Sequence, residues 1–251
     1  MKTSILPHQL ATALDQTPGG LAMLSLDCFD TLIWRNVYSP SHVFMDLGEG
    51  QAAPQQRTYA ESCARSRAAL RMRRNEATIE EIYEALLPGQ PETAIAHSVA
   101  RELQAEARHC FAFAPTVALM RKAKAAGLRI AIVSDTYLSR DQLHALISNV
   151  AGEDIVELID EIFCSSEFGV AKGEGLFKHV LLNTGVAPER ILHIGDNKSA
   201  DFTPARELGI NALHLVQFSD TEQQRLRLEA AVGAIFNNAG GQQLPCYQPH
   251  R

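Results

Sequence analysis

The chain has 251 residues, 46% hydrophobic and 21% charged; this is the balance of a globular protein with a sizeable core, and the length admits one large domain or a core carrying a smaller insert. Its formal charge of −6 supplies no field for a phosphate backbone or an anionic bilayer, so neither nucleic acid nor membrane is expected as a partner, and an anionic ligand must meet a locally positive site. The five cysteines, Cys28, Cys63, Cys110, Cys164 and Cys246, are scattered without CxxC spacing and suggest neither a disulfide framework nor a zinc site.

In chain order, Met1 to Gly20 lacks the continuous apolar stretch of a signal peptide, and with reduced thiols this points to a cytoplasmic protein. The apolar run Leu21 to Cys28, opened by Pro18-Gly19-Gly20, is short enough to read as a buried strand. From about Ile33 to Ala114 the composition shifts to Ala, Arg, Glu and Gln with helical periodicity, which predicts a helical insert. Within it Thr78-Ile79-Glu80-Glu81 has capping-box spacing, so a helix should start there and stop before Pro88-Gly89.

Beyond the insert, Leu128 to Val133 and Ile191 to Ile194 are further candidate strands. Apolar residues at spacings of three and four predict helices over Val117 to Ala126, Arg140 to Val150, Leu176 to Thr184, Ser199 to Leu208 and Glu222 to Phe236. Alternating strands and helices imply an α/β fold, a Rossmann-like doubly wound parallel sheet. The domains expected are a core of 1–32 and 115–236, a helical insert of 33–114, and a loosely ordered tail of 237–251.

Four short motifs fall at the expected strand ends: Asp27-Cys28-Phe29-Asp30-Thr31-Leu32, Ser134 in IVSD, Lys172 in FGVAKGEG, and Gly195-Asp196 with Asp201 in HIGDNKSADF. In this order they resemble the haloacid dehalogenase (HAD) superfamily. Ligands of open α/β sheets bind outside the carboxyl ends of the strands, where all four would meet. The resemblance implies a hydrolase with Asp27 as nucleophile, Mg²⁺ as cofactor, and the cation held by Asp27, the backbone carbonyl of Phe29, Asp196 and a second carboxylate, Asp201. Ser134 and Lys172 would be catalytic and would bind the substrate's phosphoryl group. The insert takes the place of the family's C1-type cap, and Arg35, close behind the first motif, would contact substrate.

These residue types suit phosphoryl transfer. A carboxylate attacking phosphorus splits one hard displacement into two easier ones, a cation offsets the repulsion of anion by anion, and a hydroxyl and an ammonium stabilise charge on the transferring group. The expected activity is therefore that of a magnesium-dependent phosphatase for a small phosphorylated metabolite. The DCFDTL, SDTYLS and HIGDN segments are similar to a HAD branch encoded beside polysaccharide glycosyltransferases, which implies a sugar-related substrate. The sequence assigns no oligomeric state.

One position departs from the phosphatase pattern. The family's acid/base aspartate, two residues after the nucleophile, is replaced by Phe29, and in an extended segment Asp30 would turn the opposite way. Two alternatives stay open: a metal-independent dehalogenase, whose halide leaves without a proton, and a weakly catalytic or noncatalytic phospholigand-binding protein. In the insert Arg57, Glu61 and Arg65 should share one helix face, and Arg67, Arg71 and Arg74 another; such faces are either anion-binding or solvated and salt-bridged. His193, on an apolar strand, is expected as a core histidine.

Overall fold

The computed structural model describes residues 3–16, 19–37, 39–47 and 54–218 and part of 221–232. The elements are β1 (Ser4–Ile5), β2 (Met23–Leu26), β3 (Ile33–Arg35), α1 (Pro54–Met72), α2 (Ile79–Leu86), α3 (Glu92–His109), β4 (Cys110–Ala112), α4 (Ala114–Ala125), β5 (Arg129–Ser134), α5 (Arg140–Ala151), α6 (Glu153–Val156), β6 (Glu161–Cys164), α7 (Ser165–Phe168), α8 (Leu176–Thr184), β7 (Ile191–Gly195), α9 (Thr203–Glu207) and β8 (Asn211–Leu215). Six strands form one parallel sheet in the order β1-β8-β7-β2-β5-β6, and β3 and β4 form a two-stranded sheet. No helix among the described residues is long and apolar enough to cross a membrane.

The centre of the sheet explains the apolar runs. Strand β2 is buried along its whole length and is paired on both sides, with Leu26 opposite Ile132 of β5 and Ile194 of β7. A strand covered on both faces has no solvent side to alternate towards, so it reads as continuously apolar. This register brings the carboxyl ends of β2, β5 and β7 level, so the residues that follow them share one edge. The apolar cluster beside the sheet joins Met23, Val133, Phe163, Phe177, Val180 and Ile210.

The strands read from sequence are present: β2 is shorter than the run Leu21 to Cys28, β5 is shifted by one residue, and β7 runs one residue further, to Gly195. The expected helix over Ser199 to Leu208 is instead a π-helical turn, Lys198–Phe202, followed by α9. Pro204 lies in the first turn of α9 and has no N–H for the preceding ladder, so the chain changes its winding there. The described residues of 221–232 are helical, while the remainder of the helix expected over Glu222 to Phe236 and the expected tail lie outside the described residues.

The chain divides into two compact units. The first comprises Met1–Trp34, Arg74–Glu76 and Ala112–Gln217; the second comprises Arg35–Arg73, Ala77–Phe111 and Phe218–Arg251, the last described only in part. Residues Arg74–Glu76 therefore belong with the sheet although they come from the middle of the insert. The Asn75 N–H donates to the Gly169 carbonyl at 2.9 Å and its Nδ2 to Glu174 Oε2 at 2.9 Å. Gly169 ends α7 with φ +72, and a Cβ there would lie 2.7 Å from Arg74 Cβ, so both its backbone and its lack of a side chain are needed.

In the second unit, α2 starts at a true capping box: the Glu81 N–H donates to Thr78 Oγ1, and the Thr78 N–H to Glu81 Oε2. Of the arginine faces expected on α1, Arg57, Glu61 and Arg65 do share one, with Glu61 accepting from both arginines, but that face is not simply solvated. Arg57 is fully buried, its Nε and Nη2 each donating at 2.7 Å to Glu102 and its Nη1 to Glu61. Tyr83 also donates to Glu102 at 2.8 Å, and the guanidinium carbon lies 4.6 Å from the centre of the Phe44 ring. Burial, then the Glu102 charge, pushes the Tyr83 hydroxyl well above its ordinary pKa. Arg74 is not on the helix, which ends at Met72.

Breaking a buried pair strands a charge. Arg57→Leu should therefore lower stability by about 3–5 kcal/mol, and joining it to Glu102→Leu should recover much of that loss. Urea unfolding of both variants checks this. Equal losses in the single and double variants would mean that the pair itself contributes little.

Candidate active site at the carboxyl edge of the sheet

Asp27 follows β2, and its N–H donates to the Ile194 carbonyl at 3.0 Å, so the sheet ladder fixes its backbone. The chain then turns sharply. Leu32 and Ile33 both donate to the Cys28 carbonyl, at 2.8 and 3.0 Å, and Asp30 has φ +58. Asp30 is held in this left-handed conformation by its N–H bond to the Ile33 carbonyl at 2.6 Å and by Gln217, whose amide donates to its carbonyl. The segment is thus a turn and not extended, so strand alternation does not apply at Asp30, and the Asp30 charge is among those that raise Asp196. Phe29 lies in the same turn, bridged to Ile33.

Lys172 opens a short 3₁₀ turn, and its side chain is buried. Its ammonium donates to Asp27 Oδ1 at 2.6 Å and to Asp201 Oδ1. Its backbone N–H donates to Asp135 Oδ1 at 2.8 Å. Burial works against the charged amine, but Asp27, Asp201 and Asp135 outweigh it and hold the pKa well above the ordinary lysine value. Asp201 is buried too. Against that burial, Lys172 and then His193 hold its carboxyl well below the ordinary range.

The other two carboxyls differ. Burial, only partly offset by Lys172 and reinforced by Asp201, raises Asp27 to about 7. Burial, followed by the charges of Asp27, Asp30 and Asp201, raises Asp196 to about 8. Oxygens of Asp27, Asp196 and Asp201 can all lie within 4.8 Å of one another. Three crowded carboxylates with one ammonium are short of positive charge, and an all-oxygen donor set of this kind fits a hard divalent cation.

Ser134 ends β5, and its buried hydroxyl has no hydrogen-bond partner among the described residues. It is a donor without an acceptor, at the edge that Asp27 occupies. The Thr31 hydroxyl is likewise buried without a partner among the described residues. Gly195 ends β7, where a Cβ would lie 2.2 Å from the carboxyl carbon of Asp201. The glycine thus admits the carboxylate.

The edge of the sheet brings together Asp27, Lys172 and Asp201 by direct contact, with Asp196 beside them. Arg35 belongs to the second unit, where its Nε donates to Glu106 Oε1 at 2.5 Å. Two bonds were not legible in the residues: the one from the Lys172 backbone N–H to the Asp135 carboxylate, and the one from the N–H of Asn197 to Asp201 Oδ2 at 2.9 Å. Asn197 also accepts from the N–H groups of Ser199 and Ala200. An asparagine just before a helical turn is a preferred cap, and that signal could have found it.

A family model described as haloacid dehalogenase-like hydrolase matches residues 25–209. Over 103 residues the chain is 29% identical to glyceraldehyde 3-phosphate phosphatase of Methanocaldococcus jannaschii, a match spanning 41% of this chain and 43% of that relative. The fold is similar to that of 2-haloacid dehalogenase from Pseudomonas syringae pv. Tomato DC3000, with TM-score 0.57 and 16% identity over 80% of this chain and 90% of that one. It is also similar to L-2-haloacid dehalogenase from Xanthobacter autotrophicus, with TM-score 0.56 and 20% identity over 87% and 88% of the two chains.

A side chain at Gly195 cannot coexist with Asp201 in place. Gly195→Ala should cost about 1–3 kcal/mol, the range of an overpacked core, read as a lowered midpoint in urea. An unchanged midpoint would show that Asp201 is not lodged against this glycine.

Proposed function

Because the chain belongs to the haloacid dehalogenase-like hydrolase family, we propose that it is a magnesium-dependent phosphatase acting on a small phosphorylated metabolite, with Asp27 as the nucleophile. The observation that carries this reading is the convergence of Asp27, Asp196 and Asp201 on Lys172, with two of the three carboxyls pushed up for lack of positive charge. A halide displacement needs one carboxylate and no cation; three carboxylates make sense around a metal. The M. jannaschii relative is named for a phosphorylated three-carbon sugar, which supports a sugar-related phosphate as substrate. A cytoplasmic setting fits such a metabolite and the absence of disulfides among the described cysteines.

Asp27, Asp196 and the backbone carbonyl of Phe29 would hold the cation, with Asp201 as a further carboxylate. A bound Mg²⁺ would offset the repulsion between attacking and transferring anions and orient the phosphoryl oxygens. The protein's own groups do the rest. An Asp27 oxygen attacks phosphorus as the bond to the leaving oxygen breaks, giving an aspartyl phosphate; water then attacks that phosphorus, releasing phosphate and restoring the carboxylate. Lys172 orients the nucleophile and partly offsets the burial that raises its pKa, and the unpartnered Ser134 hydroxyl donates to a phosphoryl oxygen. The second unit would take the part of the family's substrate-selecting cap; within it the Arg35 Nε donates to Glu106 Oε1 at 2.5 Å.

Phe29 cannot protonate a leaving alkoxide. A positioned acid is worth about 10²–10⁴ in rate, so turnover should depend steeply on the leaving group, with p-nitrophenyl phosphate far ahead of an alkyl phosphate. The same phenylalanine favours the second reading, dehalogenation. Phosphate release from p-nitrophenyl phosphate separates the two. It should require Mg²⁺, stop with EDTA, and fall by about 10³ or more in Asp27→Asn. Halide release from a 2-haloacid that persists in EDTA would replace the phosphatase with the dehalogenase. Neither activity, with phosphate ester still bound, would leave a phospholigand-binding protein.

A further inference from the structure

We infer that His193 is a positioning residue: its imidazole, fixed by Ser25, orients the Asp201 carboxylate that grips Lys172. The strand register makes the arrangement. Ser25 of β2 and His193 of β7 are direct partners across the sheet, and Ser25 Oγ lies 2.8 Å from His193 Nδ1. Asp27 stands two residues beyond Ser25, so it projects to the same face of the sheet. The other ring nitrogen, Nε2, faces Asp201 Oδ1 at 3.4 Å. Both Ser25 and His193 are buried, and the Phe177 ring packs edge-on at 4.8 Å and 79°.

The chemistry of the two neighbours sets the tautomer. A nitrogen facing an anionic carboxylate must carry its hydrogen, so Nε2 donates to Asp201. The charged groups acting on the ring are Asp201, Lys172 and Asp135, and burial, the largest influence, works against a second ring proton. Nδ1 then has a lone pair and accepts the Ser25 hydroxyl. Asp201 thus receives three donors: Lys172 and His193 on Oδ1, and the Asn197 N–H on Oδ2. Without His193 the carboxylate keeps only one donor on each oxygen. An apolar residue of similar size would fill the space against the Phe177 ring, but it would leave the Ser25 hydroxyl without its acceptor and free the Asp201 carboxylate to turn.

This inference rests on the proposed cation site in one respect only: the effect on metal affinity. Three measurements on the intact chain keep the two readings apart. They are the ¹⁵N–¹H correlation spectrum of histidine-labelled protein, amide exchange at Asn197, and Mn²⁺ titration followed by electron paramagnetic resonance. The variants are His193→Leu, which keeps bulk without polarity, and His193→Gln, whose amide can return an N–H donor. Wild type should show the neutral Nε2–H tautomer at His193. His193→Leu should speed Asn197 exchange and weaken Mn²⁺ by about 10-fold, the low end for loss of a ligand's hydrogen-bond partner. His193→Gln should stay within about threefold of wild type in Mn²⁺ affinity. An Nδ1–H tautomer, wild-type Asn197 exchange in His193→Leu, or a glutamine variant as impaired as the leucine one would overturn the positioning role. If wild type binds no Mn²⁺, the cation site fails, and the tautomer and Asn197 exchange alone decide the role of His193.

Discussion

The buried ammonium of Lys172 between Asp27 and Asp201 is the constraint around which the first unit is arranged. A charge taken out of water costs several kcal/mol unless opposite charges and hydrogen bonds replace the solvent. Each neighbouring feature meets part of that demand. Asp135 fixes the backbone of Lys172, Gly195 gives up a side chain so that Asp201 can approach, and Asn197 occupies the second oxygen of Asp201. Removing any of them leaves a charge misplaced in the interior.

The same arrangement explains which carboxylates have partners. Asp201 receives most of the available donors and stays ionised, whereas Asp27 and Asp196 are raised by burial and mutual repulsion. The site is therefore electrostatically incomplete by itself, and incomplete in the direction that an oxygen-seeking dication corrects. The similar folds of haloacid dehalogenases show the scaffold and leave the chemistry to the site. The carboxylates and Phe29 pull in different directions, the first towards phosphoryl transfer and the second away from efficient protonation of a poor leaving group.

Much of this was legible in the residues. Buried strands betray themselves as short apolar runs, which is why β2, β5 and β7 could be read, and their ends carry Asp27, Ser134 and Asp196. Strands β6 and β8 were missed because Glu161 and Asn211 begin them and His214 interrupts the second, so neither forms an apolar run; β1 has two residues and no periodicity at all. The segment around Asp30 was read as extended, whereas a left-handed residue in a turn breaks the alternation that holds in a strand. Arg57 misled for a different reason: spacing tells which residues share a helix face, but only the partner, here Glu102 from another helix, tells whether that face is buried. His193 was rightly seen as a core residue. Its contact with Asp201 spans eight positions across a strand end and a π-helical turn, beyond any local pattern.

The short segment Arg74–Glu76 bears on how such a chain could be inherited or re-engineered. Because Asn75 holds the carbonyl of Gly169, three residues before Lys172, and the side chain of Glu174, two after it, the insert is not a cassette. Exchanging everything between 35 and 111 for another lineage's sequence would also carry away a splint for the lysine's loop. Recombination at the obvious joints should then yield chimaeras that fold yet hold Lys172 slackly, unless the Asn75 contact is grafted back or the incoming sequence brings an equivalent. Core and insert are bound to vary together at these few positions, and natural relatives that change one without the other should be rare.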